Sequence, residues 1–385
     1  MPHYFVFPEQ DTTIFSHPTE QSLNTGLDEI LSLKDSDITT DSKHYSSRIL
    51  IQFKTSEWED VITNKANDKT IITASINLFQ TEHEELAGVQ HIEVFPLAQP
   101  WVNGTGRLAN SPQITNGCSW KFTDGSDNSF SSTFGTSWGT ESFAEFQTAS
   151  FIDEAKGGGL FWIGDGMKTS ASLGFNDDLD LKLDVTSQLL KHYDFHVLNS
   201  GTPSGIPNYG FLLKRSESQE FTARDEGELN FFSMDTHTIY PPYLDISWDD
   251  STHDGPDSNN VLSSGEIYVT LRNNKEKYKT VEEPKFRLNV RELYPTRRFV
   301  TSSNFLDVKY FTSKSFYSLV DYATEETIIP FSSTTRLSAD SEGMFFKLYM
   351  NGLQEERYYK LLFKHENNDG IRVYDENCYF KIVKS

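Results

Sequence analysis

The chain has 385 residues, a formal net charge of −22 and an aromatic content of 14%, dominated by 29 Phe and 17 Tyr. That length predicts two or three domains. Phe and Tyr favour pleated, half-buried surfaces, and the lack of long Ala/Leu/Glu/Lys stretches excludes helical bundles and coiled coils. The charge is uneven: residues 1–260 hold 15 Lys+Arg against 39 Asp+Glu, and residues 261–385 hold 19 against 17. The acidic front portion repels nucleic acid and anionic membranes, and no apolar run approaches the ~18 residues of a membrane-spanning helix.

In chain order, Met1–Pro8 lacks the basic and apolar regions of a signal peptide and reads as the first strand of a mature chain. Residues 3–15 alternate as a strand, 28–33 form a second, and Arg48-Ile49-Leu50-Ile51-Gln52-Phe53 reads as a buried central strand. Residues 56–64 fit a short helix, with Ser56 as N-cap, Glu59 at the third position and Trp58, Val61 and Ile62 on one face. Strands are expected again at 71–80 and 91–97. Residues 99–175, rich in Gly, Ser, Thr and Asn, read as long decorated loops with short strands between them, and Gly157-Gly158-Gly159 as a flexible turn into the strand Leu160–Ile163. Regular strands return at 179–185, 209–213, 229–234 and 243–248.

The polar, Gly-Pro-punctuated stretch 249–262 cannot build a core and reads as a linker. Beyond it, strands at 266–272, 285–292, 316–322, 344–350, 358–365 and 378–383, with turns at Asn351-Gly352 and Asn367–Gly370, predict an immunoglobulin-like sandwich. The expectation is therefore an all-β chain of two parts: an acidic jelly-roll-like sandwich over 1–248 with a loop-rich insert at 99–175, and an Ig-like sandwich over 263–385. Cys118 and Cys378, far apart, read as two free thiols of a chain made in a reducing cytosol.

Several strings of the first part carry a resemblance. Ser47–Phe53, Trp101-Val102-Asn103-Gly104-Thr105-Gly106, Gly117-Cys118-Ser119-Trp120, Asp184–Leu190, Asn208–Leu213, Phe231–Ser233 and Pro241–Ile246 follow in order the motifs of DNRLRE-type domains, β-sandwiches of bacterial surface proteins related to carbohydrate-binding jelly rolls. The likeness spans roughly residues 10–248 and departs at the insert 121–175. Through Tyr294–Phe299, Ser338–Met344 and Arg357–Phe363 the whole chain also resembles virion proteins of marine contractile-tailed bacteriophages. This implies a virion structural protein of the neck, tail or baseplate, assembled in the host cytoplasm. Its partners would be other virion proteins, with the chain itself a homo-oligomer or ring-associated. The alternative is a glycan-binding adhesion module for host attachment.

Catalytic signatures are missing: there is no G-x-S-x-G elbow, no H-E-x-x-H pair, no Walker loop and no dinucleotide fingerprint. A non-enzymatic protein is expected, with no nucleic-acid partner and no membrane insertion. His192 and His196, four apart, share a face only on a helix and read as surface or corner histidines. The acids at Asp177, Asp178 and Asp180, and at Asp250 and Asp254, are weak candidates for Ca²⁺. The second pair opens an EF-hand-like loop that fails at Thr252 and at Val261. Otherwise no cofactor is expected.

Trp101, Trp120, Trp138 and Trp162 lie in or beside the loop-rich stretch. Exposed indoles stack on sugars or anchor interfaces, whereas buried ones plug a core under the loops. The second reading is preferred for Trp101 and Trp120, which sit at framework positions of the resembled family. Trp138 is the best candidate for an exposed contact. Arg297 and Arg298 follow Pro295 at a turn, as surface arginines or as partners of acids on another chain.

Overall fold

The computed structural model describes residues 2–38, 43–66, 72–84, 86–125, 138, 146–148, 157–174, 180–198, 205–222, 224–254, 260–295 and 308–384. The chain forms two compact units: Val6–Thr63 with Thr73–Asp245, and Met1–Phe5 with Asn64–Ile72 and Ile246–Ser385. Both are β-sandwiches.

In the N-terminal sandwich the larger sheet has the order Thr169–Leu173, Gln90–Pro96, Phe211–Arg215, Lys43–Phe53, Ile30–Ile38, Gly227–Phe232, Gln80–Glu84, with Pro8–Phe15 also paired to Lys43–Phe53. In a second sheet Thr73–Leu78 lies between Tyr243–Ser247 and Leu181–Asp184. All five residues of Phe211–Arg215 are buried, as are Ile49, Leu50 and Ile51. Such continuous burial requires cover on both faces of the larger sheet. Leu50, Leu212 and Phe95 are cross-strand neighbours on one face and join Trp101, Trp120, Trp138, Leu160 and Phe161 in one apolar cluster. On the other face Phe211 meets His192 of the helix Thr186–Tyr193, ring centroids 5.6 Å apart.

The described part of the insert is loop with the short strands Phe146–Thr148, Leu160–Trp162 and Thr169–Leu173. It lies over a sheet face whose apolar side chains need cover. The glycine run is packed rather than free: Gly158 N donates to Trp120 O at 2.7 Å, and a Cβ on Gly158 would come within 2.7 Å of the Trp120 ring. The helix beginning at Thr55 also differs from expectation. Lys54 is its N-cap, with no side-chain cap bond, and Ser56 lies inside it. At that start Asn208 Nδ2 donates to Phe53 O at 3.3 Å and to Thr55 Oγ1 at 2.8 Å.

The C-terminal sandwich has one sheet in the order Ile267–Arg272, Lys285–Glu292, Gly343–Lys347, Ser338–Asp340, and another in the order Lys277–Lys279, Gly370–Val383, Tyr358–Asn367, Ser315–Asp321, Thr327–Ile329. This is the ABED and GFC arrangement of an immunoglobulin fold. Lys277–Lys279 runs parallel to the last strand while the other pairs are antiparallel. Phe286 and Phe346 of the first sheet meet Phe380, Tyr317 and Phe363 of the second, with centroids 4.4–6.1 Å apart. Tyr359, near the start of Tyr358–Asn367, which takes the place of strand F, accepts a hydrogen bond from Gln354 N at 2.7 Å, the tyrosine corner of such folds. Leu361, two residues on, stands where antibody domains carry a cysteine, and both cysteines of this chain are free and buried. The described residues of 249–262, expected as linker, add to this sandwich. Ala339 N donates to Thr252 O at 2.8 Å and Asp254 N to Ala339 O at 3.1 Å, so a polar segment satisfies its backbone along an edge strand.

Candidate functional site

Sequence pointed to tryptophans, and three of the four turn inward. Trp101 is 6% exposed, Trp120 1% and Trp138 2%. Trp101 Nε1 donates to Tyr209 O and Trp138 Nε1 to Ser119 O, both at 2.9 Å, which is how a buried indole keeps its N–H satisfied. Trp138, the expected exposed contact, is thus part of the sheet cover. Trp162, half-buried, ends the short strand Leu160–Trp162.

Beneath Trp120 lies a buried ionic cluster. Arg48 is on the same sheet face as Leu50, and its guanidinium sits 4.9 Å from the Trp120 ring. Arg48 donates to both carboxylate oxygens of Glu220 and, through Nη1, to Gly158 O at 2.6 Å. Lys214 Nζ adds a bond to Glu220 Oε2 at 3.1 Å. Asn24 pins the Gly-rich loops from below, donating to Asn103 O at 2.7 Å and Cys118 O at 2.9 Å and accepting from Gly106 N at 2.8 Å. A Cβ on Gly106 or Gly117 would fall within 2.1–2.5 Å of Asn24 atoms. Residues 101–106 and 117–120 are thus spent on holding loops to the sheet.

The remaining expected groups do not assemble into one site. Asp177, Asp178, Arg297 and Arg298 lie outside the described residues. Asp180 accepts from Gln80 N at 2.8 Å, and Asp250 and Asp254 are exposed. Among the described residues no three His, Cys, Asp or Glu side chains form a group able to hold a metal ion. Of His192 and His196, expected as surface or corner histidines, the first lies inside. His192 is fully buried, with Nδ1 3.1 Å from Ile206 O, and burial pushes its pKa down to about 4. His196 Nε2 accepts from Asn208 N at 3.1 Å. Both hold the segment after the helix in place.

A site that sequence does not indicate opens where the Lys43–Phe53 strand changes partner. From Ser47 to Phe53 it pairs with Pro8–Phe15, the last pair being Phe15 with Ser47. From Lys43 to Ser46 it pairs with Ile30–Ile38, beginning at Asp35 with Ser46. The parting strands leave a cavity of about 190 Å³ lined by Phe15, His17, Glu20, Lys34, Tyr45, Ser46 and Ser47. Its walls are firm. Ser16 N donates to Ser46 O at 3.0 Å and Ser46 N to Ser16 Oγ at 2.8 Å, while Ser47 Oγ donates to Ser32 O at 2.7 Å and accepts from Lys34 N at 2.7 Å. His17 and Tyr45 meet edge to face at 4.8 Å.

Its polar valences are incomplete. Ser46 is 3% exposed and its hydroxyl has no hydrogen-bond partner. Such a group is costly unless something binds it. Thr19 N donates to His17 Nδ1 at 3.3 Å and Thr19 Oγ1 lies 2.7 Å from the same atom, so Nδ1 is engaged within its own loop and Nε2 is the ring nitrogen left for a ligand. The only local hint in the sequence is a pair of serines opening an apolar run. The change of partner is non-local and leaves no period.

No protein-family model matches the chain, and no curated protein matches it. Among solved structures it is similar to the adhesin domain of Epf from Streptococcus pyogenes, at 9% identity over 98% of each chain and a TM-score of 0.17, a likeness too slight to define a common fold.

Proposed function

We propose that this chain is a non-enzymatic attachment protein whose N-terminal sandwich binds surface glycan at the Ser46 cavity. The supporting observation is the contrast between the buried Arg48–Glu220 framework, whose charges are paired, and a firm-walled cavity whose lining holds the His17 ring and a Glu20 carboxylate in no ion pair among the described residues. Preformed concavities with a few convergent polar groups are where ligands bind. The test is retention of the full chain on immobilised polysaccharides and on cells, with and without His17→Ala plus Glu20→Ala. Retention that falls in the double variant supports the reading, and equal retention removes the cavity as the point of contact.

A second reading, a structural component of a phage neck, tail or baseplate, is favoured by a patch on the C-terminal sandwich. Tyr322, Tyr358 and Tyr379 are 57%, 46% and 46% exposed, with ring centroids 6.2–6.4 Å apart. Exposed aromatics in a group suit protein contacts. In this setting the chain is carried in the virion beside other virion proteins or copies of itself. Light scattering tests it: a discrete ring reduced to monomer by Tyr379→Ser supports it, and a monomer at all concentrations counts against self-assembly.

A further inference from the structure

We infer that the cavity at Ser46 takes a single neutral pyranose, the terminal residue of a glycan, entering end on. The inference rests on the attachment reading and gives it a ligand class. Size is the first argument. A volume of about 190 Å³ lies below the ~300–1,000 Å³ of sites for drug-sized ligands, so it suits one ring and not an oligosaccharide. The remainder of the chain would leave through the mouth.

Hydrogen-bonding capacity is the second. A sugar hydroxyl both donates and accepts, so its natural partners are a mixed set. The lining residues carry one acceptor-only group, the Glu20 carboxylate, donors in the His17 ring and the Lys34 ammonium, and a group of either kind in the Tyr45 hydroxyl. The Tyr45 and Phe15 rings supply apolar wall for the C–H face of a pyranose.

Charge is the third. The one cation of the lining, Lys34, stands 3.5 Å from Glu228, whereas Glu20 forms no ion pair among the described residues. The uncompensated charge at the cavity is therefore negative, within a part of the chain that carries an excess of acids. A carboxylated, sulfated or phosphorylated sugar would meet repulsion.

The experiment is titration of the full chain, followed by ligand-observed NMR, with the methyl glycosides of glucose, galactose, mannose and N-acetylglucosamine, and separately with glucuronate and N-acetylneuraminate. Saturable binding of at least one neutral glycoside is expected, with a Kd on the order of 1 mM for so small a ligand, and weaker binding of both acids. His17→Ala should weaken that binding roughly five-fold, and Glu20→Gln should narrow the gap between neutral and acidic sugars. Ser46→Ala should leave the melting temperature unchanged or higher, because it deletes an enclosed, unpartnered hydroxyl. Tighter binding of the acids, no neutral glycoside bound, or neutral binding indifferent to His17→Ala each overturns the inference. If the chain nonetheless adheres to polysaccharide in a cavity-dependent way, the ligand class alone is wrong. If adhesion is also indifferent to the cavity, the attachment reading falls with it.

Discussion

Arg48 and Glu220 form a two-bond pair, Nε to Oε1 at 2.6 Å and Nη2 to Oε2 at 2.9 Å, with side chains 0% and 1% exposed. Removing one partner of such a pair strands a charge in the core, which costs about 3–5 kcal/mol. Glu220→Gln and Arg48→Met should each lower the midpoint of urea unfolding by that order. The double variant Arg48→Met with Glu220→Gln should lose clearly less than the sum of the two singles. Purely additive losses in the cycle would show that the two side chains do not act together.

Asn24 stabilises the loop cover through three bonds to backbone atoms from a side chain that is itself buried. Asn24→Ala should cost about 2–4 kcal/mol and speed hydrogen exchange at the Gly106 amide. Gly106→Ala should act in the same direction, since its Cβ would fall 2.1 Å from Asn24 O. If the Gly106 amide keeps its protection in Asn24→Ala, the loop is held by other contacts.

Strands whose faces differ were readable from the residues alone. Along Tyr358–Asn367 the residues Tyr359, Leu361, Phe363 and His365 are buried in alternation, and the Ile49–Ile51 run is buried on both faces, as its continuous apolar character implies. What period does not encode is which surface covers which. Trp138 turns inward because a sheet face distant in sequence needs cover. The Ser46 cavity exists because a strand exchanges one partner for another, and the unit that gains Met1–Phe5 and Asn64–Ile72 is settled by non-local contacts. Local capping rules failed at Ser56, and the helix begins instead at Thr55, where a bond arrives from Asn208, more than 150 residues away.

The tyrosine corner of the C-terminal sandwich gives a clean single-atom test. Tyr359 is 2% exposed, burial pushes its phenol up to about 12, and its oxygen accepts from Gln354 N at 2.7 Å. Tyr359→Phe keeps the ring and deletes the acceptor, so about 1–3 kcal/mol of stability should be lost with the far-ultraviolet circular dichroism unchanged. A variant as stable as the parent would show that the corner is held by packing alone.

Asp11 is 1% exposed and accepts from Met234 N at 2.7 Å through Oδ2. Burial pushes its carboxyl up to about 7, with the Met234 bond opposing and the charge of Asp235 adding. Because the folded pKa lies above the unfolded value, the folded state holds the proton through the window from about pH 4 to about pH 7. Stability from this group is complete below that window and is lost as pH rises through it. Asn keeps the acceptor and carries no charge. Asp11→Asn should therefore match wild type near pH 4 and exceed it increasingly up to pH 8, by an amount on the order of 4 kcal/mol. His192, held neutral with a pKa lowered to about 4, acts in the opposite sense, its contribution lost as pH falls from its unfolded value near 6.5 towards 4. It is common to both proteins, so the difference between their melting curves isolates Asp11. A difference that stays constant from pH 4 to pH 8 would mean that Asp11 is charged in the fold throughout and that its bond from Met234 outweighs its burial.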